Sequence, residues 1–235
     1  MRRGEPLQSS PMIRLVLFDL DGTLADTAPD LAATVNRMLA RRGREPLPLA
    51  ELRPLASHGA RGLVGRAFGI RPDDTDYETL RQEFFSEYES ALCRDTALFP
   101  RMEETLQSIE SHGIRWGIVT NKIARFTDPL VRALNLAERA TCVVSGDTTP
   151  HAKPHPAPLL HATTGADVPV DEAVYVGDDM RDIQAGRAAG LGTVAAAYGY
   201  LGDGAPIEAW GADHIIRRPE ELLAIVLRQS TKPVR

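Results

Sequence analysis

Residues 15–26 read LVLFDLDGTLAD, and this stretch decides the fold. Its first four residues are apolar, with β-branched and aromatic members, which is the pattern of a strand buried on both faces. Side chains alternate along a strand, so Asp19 and Asp21 are expected to project in the same direction where the strand ends. Gly22 then lets the chain leave the sheet in a conformation that other residues resist. We therefore expect two carboxylates to converge at the end of a buried strand.

Two like charges at the end of a buried strand repel each other, so they need a cation or a shared proton. Mg²⁺, a hard cation that prefers oxygen ligands, suits the pair. A plain polar turn and a calcium-binding loop are the alternatives. A calcium loop places its glycine sixth, whereas here Gly22 is fourth, counted from Asp19, and a strand precedes it. The string Asp-x-Asp-Gly-Thr behind such a strand favours a catalytic site.

Length and composition bound the class of protein. The chain has 235 residues, 43% hydrophobic and 25% charged, which is enough for an α/β core and a smaller appended unit. The net charge of −5 argues against nucleic acid as a partner. No apolar run is long enough to cross a membrane, and residues 1–11 lack the hydrophobic segment of a secretion signal. We expect a flexible tail at residues 1–11 of a cytoplasmic protein. The distant Cys93 and Cys142 are expected to be core thiols.

Residues 27–96 carry helical periodicity that no strand-like run interrupts. Apolar side chains recur at helical spacing in the stretches 31–39, 60–68 and 77–92. These stripes predict an all-helical cap over residues 27–96, inserted directly after the first strand.

From Leu98 onward, strands and helices alternate. Strands are predicted at 116–120, 142–145, 173–176, 193–196 and 214–216, and helices at 102–112, 125–134, 158–164, 180–189 and 220–227. This alternation predicts an α/β fold with a doubly wound parallel sheet, formed by residues 12–26 and 97–235. The active site of such a sheet lies at the carboxyl ends of its strands.

Further polar candidates follow these predicted strands. Thr120 offers a hydroxyl and, with Asn121, backbone N–H groups to a phosphate oxygen. Lys153 is held extended by the proline after it, which suits a cation aimed at one point. A turn or a helix cap is the simpler interpretation of the Thr-Asn pair, and a solvated loop residue is the simpler interpretation of the lysine.

A second acidic group follows the strand predicted at 173–176. It contains Asp178, Asp179 and, one helical turn further, Asp182. One of these acids is accounted for as a helix cap, but three exceed what a cap needs.

Two histidines have the spacing of a helical zinc pair. However, prolines at 154 and 156 prevent His151 and His155 from sharing a helix face. They are expected to lie in a loop, and His58 is the histidine expected to touch a substrate.

In order and spacing, these motifs resemble the haloacid dehalogenase-like hydrolases, which are mostly phosphatases. Within that family, the chain is most similar to the phosphoglycolate phosphatase branch. The runs at 116–122, 176–183, 198–200 and 210–213 also resemble N-acetylmuramic acid 6-phosphate phosphatases. One departure concerns the cap, where phosphoglycolate phosphatases commonly carry Gly-Asn-Gly and this chain has SHGAR at 57–61. The glycolate substrate therefore stays open.

The resemblance implies a Mg²⁺-dependent phosphatase that acts on a small phosphorylated metabolite. Asp19 would be the nucleophile and form an aspartyl phosphate, and Asp21 would be the general acid and base. Mg²⁺ would be held by Asp19, the backbone carbonyl of Asp21 and Asp178. Lys153 and Thr120 would balance the charge on the phosphoryl oxygens.

Other residues are expected to support this site. Gly22 and Asn121 would help to bind the phosphate. Asp182 would orient the lysine or a metal-bound water, and Asp179 would lie behind the metal ligands. His58 and Arg61 open a predicted cap helix whose N–H groups and guanidinium would meet the substrate. A solvated Arg61 is the alternative. The protein is expected to be a monomer or a homodimer.

Three other functions would use similar residues. A phosphomutase of the same fold would keep them all and differ in protecting the phosphoenzyme from water. A haloacid dehalogenase would need neither Mg²⁺ nor the acid at Asp21. A receiver-like module also surrounds Mg²⁺ with acids, a Thr and a Lys, but has no reason to carry a helical cap.

Overall fold

The computed structural model describes residues 12–202 and 204–227. The flexible tail predicted for residues 1–11 lies outside the described residues. The strands are β1 (Leu15–Phe18), β2 (Ala25–Asp26), β3 (Ala97–Leu98), β4 (Arg115–Val119), β5 (Val143–Val144), β6 (Ala173–Gly177), β7 (Gly192–Ala196) and β8 (His214–Ile216). The helices are α1 (Ala28–Ala40), α2 (Leu49–Leu52), α3 (Gly59–Phe68), α4 (Tyr77–Glu89), α5 (Met102–Ser111), α6 (Ala124–Ala133), α7 (Ala157–Gly165), α8 (Met180–Ala189) and α9 (Leu223–Val226).

Six strands form one parallel sheet in the order β5-β4-β1-β6-β7-β8. The first strand lies between β4 and β6, so the chain turns to opposite sides of β1 as the sheet is built. This position is the switch point at which open α/β sheets bind ligands. The predicted doubly wound parallel sheet is confirmed.

The side chains of β1 point alternately to the two faces of the sheet, and each face is covered by a layer of helices. Val16 and Phe18 pack in one core cluster with residues of α5 and α6. Leu15 and Leu17 pack in another cluster with residues of α7 and α8. All four side chains are fully buried, and this explains why the strand reads as a continuous apolar run.

The chain between β2 and β3 is helical and has its own core. Helices α1, α3 and α4 contribute buried residues such as Val35, Leu63 and Phe84 to one cluster. The inserted helical cap is therefore present, while its exact limits at 27 and 96 stay a prediction. The two chain crossings that join it to the sheet pair as the antiparallel ribbon β2–β3. The sequence did not reveal this ribbon, because two residues per strand are too few to show a period.

Both crossings are fixed by buried hydrogen bonds. The Asp30 carboxylate accepts hydrogen bonds from the backbone N–H groups of Arg94, Asp95 and Thr96 and from the Thr96 hydroxyl. On the other crossing, the Tyr200 hydroxyl accepts from the N–H groups at residues 27 and 28.

One predicted helix differs from the structure. Periodicity predicted a helix over residues 220–227, but a 3₁₀ turn (Pro219–Leu222) precedes a short α9. Such turns are common where a helix begins, and apolar spacing does not distinguish them from α-helix. Cys93 and Cys142 are both free and partly buried. Among the described residues, no helix is both long and apolar enough to span a membrane.

Candidate active site

A cavity of about 320 Å³ lies where the carboxyl ends of the central strands meet the helical cap. We call its sheet side the floor and its cap side the roof. The cavity is lined by nine of the predicted site residues: Asp19, Asp21, His58, Arg61, Thr120, Asn121, Lys153, Asp179 and Asp182. Gly22 and Asp178 are not among the described lining residues, but Asp178 lies beside Asp19 and Gly22 lies against Asp178, so we count both with the floor.

Asp19 follows the last residue of β1 and is 9% exposed. Its Oδ1 lies 2.9 Å from the Nζ of Lys153, and its Oδ1 also accepts a hydrogen bond from the N–H of Leu20. Burial raises the pKa of the Asp19 carboxyl to about 7, against the opposing charge of Lys153. Burial therefore disfavours the ionised form of this carboxyl, and further positive charge nearby would favour it.

Lys153 is the cation of the floor, and its side chain is only 2% exposed. Its ammonium donates to Asp182 Oδ1 at 2.8 Å, to the hydroxyl of Tyr175 at 2.6 Å and to the carbonyl of Val119 at 3.0 Å. Burial favours the neutral amine, yet the neighbouring Asp182 and Asp19 keep the pKa of Lys153 above its usual value.

The side chain of Asn121 holds the Lys153 backbone in place. Its Nδ2 donates to the Lys153 carbonyl and its Oδ1 accepts from the Lys153 N–H, both at 2.9 Å. The amide therefore positions the lysine. Thr120 is 2% exposed, and its hydroxyl oxygen accepts from the N–H of Lys122.

Asp178 is fully buried at the end of β6. The Thr23 hydroxyl donates to its Oδ1, and the Tyr200 N–H donates to its Oδ2, both at 2.8 Å. Burial raises the pKa of Asp178 well above its ordinary value, and the charge of Asp19 adds to the effect. Gly22 must be a glycine here, because a Cβ on it would lie 2.2 Å from Asp178 Oδ2 and its φ is +87°.

Asp179 and Asp182 form a capping box at the start of α8. The Asp179 carboxylate accepts from the N–H of Arg181, and the Asp182 Oδ2 accepts from the N–H of Asp179. Arg181 also donates to Asp179 Oδ2 and, across the cavity, to the carbonyl of Ser57 in the cap, both at 2.8 Å. Asp179 is thus occupied by the helix start and by an ion pair.

Asp21 has a different set of partners from Asp19. Its Oδ1 lies 3.0 Å from the Nζ of Lys122 and accepts a hydrogen bond of 2.5 Å from the hydroxyl of Thr27, at the start of the cap. The two carboxylates therefore face the same cavity, but each pairs with its own lysine.

Carboxylate oxygens of Asp19, Asp178 and Asp182 lie within 4.8 Å of one another. Lys153 pairs with Asp19 and Asp182, so this group has three acids for one cation. Both oxygens of Asp182 already accept hydrogen bonds from Lys153, Tyr175 or the Asp179 N–H. The donor set fits a hard divalent cation bound mainly by Asp19 and Asp178.

Some contacts at this site were missed from the sequence. Tyr175 lies in the middle of β6, and apolar neighbours of this kind are typical of a core residue. Thr23 belongs to the Asp-x-Asp-Gly-Thr string, and that position could have identified it as a site residue. Lys122 lies in the run at 116–122 but does not follow a strand directly, so the sequence pattern assigns it no role. At the roof, His58 is half-buried and Arg61 is exposed.

Known proteins resemble this chain over most of its length. The family described as haloacid dehalogenase-like hydrolase matches residues 16–196. A phosphoglycolate phosphatase of Xanthomonas campestris pv. campestris (strain 8004) is 46% identical over 210 residues, which cover 89% of this chain and 94% of that protein. The N-acetylmuramic acid 6-phosphate phosphatase of Pseudomonas aeruginosa is 40% identical over 216 residues, which cover 92% and 96%.

A solved structure shares the fold. It is a "predicted phosphoglycolate phosphatase" from Haemophilus somnus 129pt, with a TM-score of 0.80 and 28% identity, covering 91% of this chain and 97% of that one. Since the family match spans most of the sequence and the relatives align over nearly their full lengths, the chain belongs to the haloacid dehalogenase-like hydrolases.

Proposed function

We propose that this protein is a Mg²⁺-dependent phosphatase that hydrolyses a small phosphomonoester through an aspartyl phosphate on Asp19. It is a phosphoric monoester hydrolase, as are its relatives by name. The observation that supports the mechanism most is the arrangement of the two carboxylates. Asp19 pairs with the buried Lys153 and Asp21 with Lys122, on the floor of one cavity.

In the first step, an oxygen of Asp19 attacks phosphorus in line with the ester bond. The bond from phosphorus to the leaving oxygen breaks, and Asp21 gives that oxygen a proton. In the second step, Asp21 takes a proton from water, whose oxygen attacks phosphorus and releases Asp19 and phosphate. Separate partners for the two carboxylates suit these separate roles.

The remaining floor residues stabilise charge. Lys153 and the Thr120 hydroxyl face the phosphoryl oxygens, and Asp182 holds the lysine through its ammonium. Mg²⁺ would be held by Asp19, Asp178 and the backbone carbonyl of Asp21, and when bound it supplies positive charge that favours the ionised carboxylates and the approach of a phosphate dianion.

The substrate is 2-phosphoglycolate or a sugar phosphate such as N-acetylmuramic acid 6-phosphate, because relatives of 40–46% identity carry both names. The cavity volume of about 320 Å³ is within the range that holds small-molecule ligands. A phosphomutase is not favoured, since those relatives are named phosphatases. A cytoplasmic location and a monomeric or homodimeric state remain predictions.

The test is phosphate release from a panel of phosphomonoesters that contains both candidates and p-nitrophenyl phosphate. We expect turnover with Mg²⁺ and its loss in excess EDTA. Release of free phosphate distinguishes a phosphatase from a phosphomutase, which moves the phosphoryl group to another position of the same substrate. Full activity in excess chelator would contradict the metal assignment, and no release from any ester would contradict the function.

A further inference from the structure

The roof of the cavity contains a buried hydroxyl whose proton has no acceptor among the described residues. Tyr88, on α4, is 1% exposed and lines the cavity. Its ring stacks on Phe84 at 6.2 Å and meets the edge of Phe126 at 5.4 Å, so packing fixes its position. Within residues 12–202 and 204–227, its hydroxyl has no hydrogen-bond partner. Such a buried donor without an acceptor is unfavourable for folding, and an acceptor atom in the cavity would satisfy it.

Lys122 lies next to this hydroxyl on the floor side of the cavity. Its Nζ is 4.9 Å from the centroid of the Tyr88 ring and 3.0 Å from Asp21 Oδ1. An ammonium has three N–H donors, and among the described residues that of Lys122 donates one hydrogen bond, to Asp21. Even if a second donor is directed at the Tyr88 hydroxyl, Lys122 has at least one donor left for a substrate oxygen, beside the group that we propose to protonate the leaving oxygen.

Both groups are donors at neutral pH. Burial raises the pKa of Tyr88 to about 12, although the charge of Lys122 opposes this. Lys122 is held as an ammonium by its ion pair with Asp21, at 3.0 Å. A protonated phenol and an ammonium that face one space call for an oxygen acceptor.

The charges of the roof favour an anionic acceptor. The lining residues that the cap contributes include Arg61 and Arg81, of which Arg81 pairs with Glu78 at 2.9 Å, and none of the described ones is an acid. A neutral hydroxyl on the substrate would not need this excess of positive charge, whereas a carboxylate would gain from it.

We propose that Tyr88 and Lys122 together bind a carboxylate carried by the leaving group, and thereby select phosphorylated carboxylic acids. This inference rests on the proposed phosphatase function. Tyr88 supplies the hydrogen bond from the cap and Lys122 supplies the charge from the floor, so the contact forms across the boundary between the two units.

The test compares carboxylated esters with their neutral counterparts. The pairs are 2-phosphoglycolate with 2-hydroxyethyl phosphate, and N-acetylmuramic acid 6-phosphate with N-acetylglucosamine 6-phosphate. For the wild-type protein, we expect a higher kcat/KM for the acid of at least one pair. Equal rates within both pairs would overturn the proposal. Turnover of p-nitrophenyl phosphate in the same experiment would keep the phosphatase function, and no turnover of any ester would overturn both.

Tyr88→Phe removes only the hydroxyl that we propose to bind the substrate carboxylate. We expect a loss of about 10- to 100-fold in kcat/KM for the preferred acid, and less than about twofold for its neutral counterpart and for p-nitrophenyl phosphate. The melting temperature should be unchanged or higher, because the hydroxyl has no partner to lose. An equal loss on all esters, or no loss on the acid, would overturn the proposal.

Two further variants complete the design. Lys122→Met should lower activity on every ester, because Asp21 loses its ion pair, but it should also reduce the preference for the acid. Ser90→Ala removes an exposed hydroxyl at the end of the same helix, where it donates to the carbonyl of Glu87, and should leave the preference unchanged. A Lys122→Met protein with the wild-type preference would contradict the role of the lysine.

Discussion

The floor and the roof of the cavity differ in how completely their polar groups are satisfied. On the floor, Asp178 accepts two hydrogen bonds and Lys153 donates three. On the roof, among the described residues, the hydroxyls of Tyr88 and Ser57 have no hydrogen-bond partner. The floor is therefore organised before a substrate arrives, as charge stabilisation in phosphoryl transfer requires. The roof leaves donors open, and a substrate must supply the acceptors.

The largest expected effect is the loss of turnover when the nucleophile on the floor is replaced. Asp19→Asn keeps the shape of the side chain and removes the nucleophilic carboxylate, so turnover of every ester should fall by at least roughly 10⁴-fold. The melting temperature should not decrease, because burial already disfavours the charge of Asp19. Steady-state kinetics and circular dichroism measure the two outcomes. Substantial turnover by the folded variant would contradict a covalent role for Asp19.

The next prediction concerns the cation of the floor. Lys153→Met leaves Asp19 and Asp182 without their buried partner, and we expect a loss of roughly 3–5 kcal/mol in the free energy of unfolding. Urea denaturation measures it. The control is Arg125→Met, which breaks an exposed ion pair with Glu89 between core and cap and should cost less than about 1 kcal/mol.

A second substitution keeps this prediction testable if Lys153→Met fails to fold. Adding Asp182→Asn removes one of the uncompensated charges and should recover part of the lost stability. Equal losses in Lys153→Met and Arg125→Met would contradict the view that the floor depends on its buried cation.

The acids of the floor also predict how stability depends on pH and metal. The pKa of Asp19 rises on folding from 3.8 to about 7, and that of Asp178 rises as well. A carboxyl with a raised pKa in the folded state contributes stability that is present below its unfolded pKa and is lost as pH rises through the folded pKa. Metal-free protein should therefore melt at a lower temperature near pH 8 than near pH 5.

Mg²⁺ should oppose this loss, because it binds the ionised carboxylates of the folded state. Its stabilising effect, measured by calorimetry, should be greater near pH 8 than near pH 5. The Asp19→Asn variant should show a weaker dependence on pH. A metal effect that is equal at both pH values would contradict the assignment of Asp19 and Asp178 as ligands.

The smallest expected effect lies on the rim of the roof. Arg61 lines the cavity and is exposed, so Arg61→Ala should raise KM for the true substrate by about fivefold, with little effect on p-nitrophenyl phosphate. Arg66→Ala, on the same helix but paired with Glu51, is the control. An equal change in KM for both esters would place substrate selection elsewhere in the cap.

The same division between floor and roof explains what could be predicted from the sequence. Asp19, Thr120 and Asp178 each follow a strand directly, and parallel strands bring their carboxyl ends together whatever the rest of the chain does. The local sequence pattern was therefore sufficient to predict that most residues of the floor lie close together. Asn121 illustrates the limit, because its side chain holds Lys153 through a contact that no local pattern encodes.

The roof could not be predicted in the same way. Tyr88 belongs to an apolar helical stripe, and its spacing in the sequence is the same whether its hydroxyl is buried or exposed to solvent. Its position beside Lys122 depends on how α4 packs against the sheet. Tertiary packing of this kind leaves no period in the sequence, so the stripe predicts the helix but not the place of the hydroxyl.

The central claim is that the phosphoryl group passes through Asp19, and trapping the intermediate tests it most directly. Protein mixed with Mg²⁺ and the best ester of the panel is quenched in acid within the first turnover, digested and analysed by mass spectrometry. The account predicts a hydroxylamine-sensitive phosphoryl group on the peptide that contains Asp19, and none in Asp19→Asn. A first turnover that releases phosphate without labelling Asp19, or that labels another residue, would contradict it.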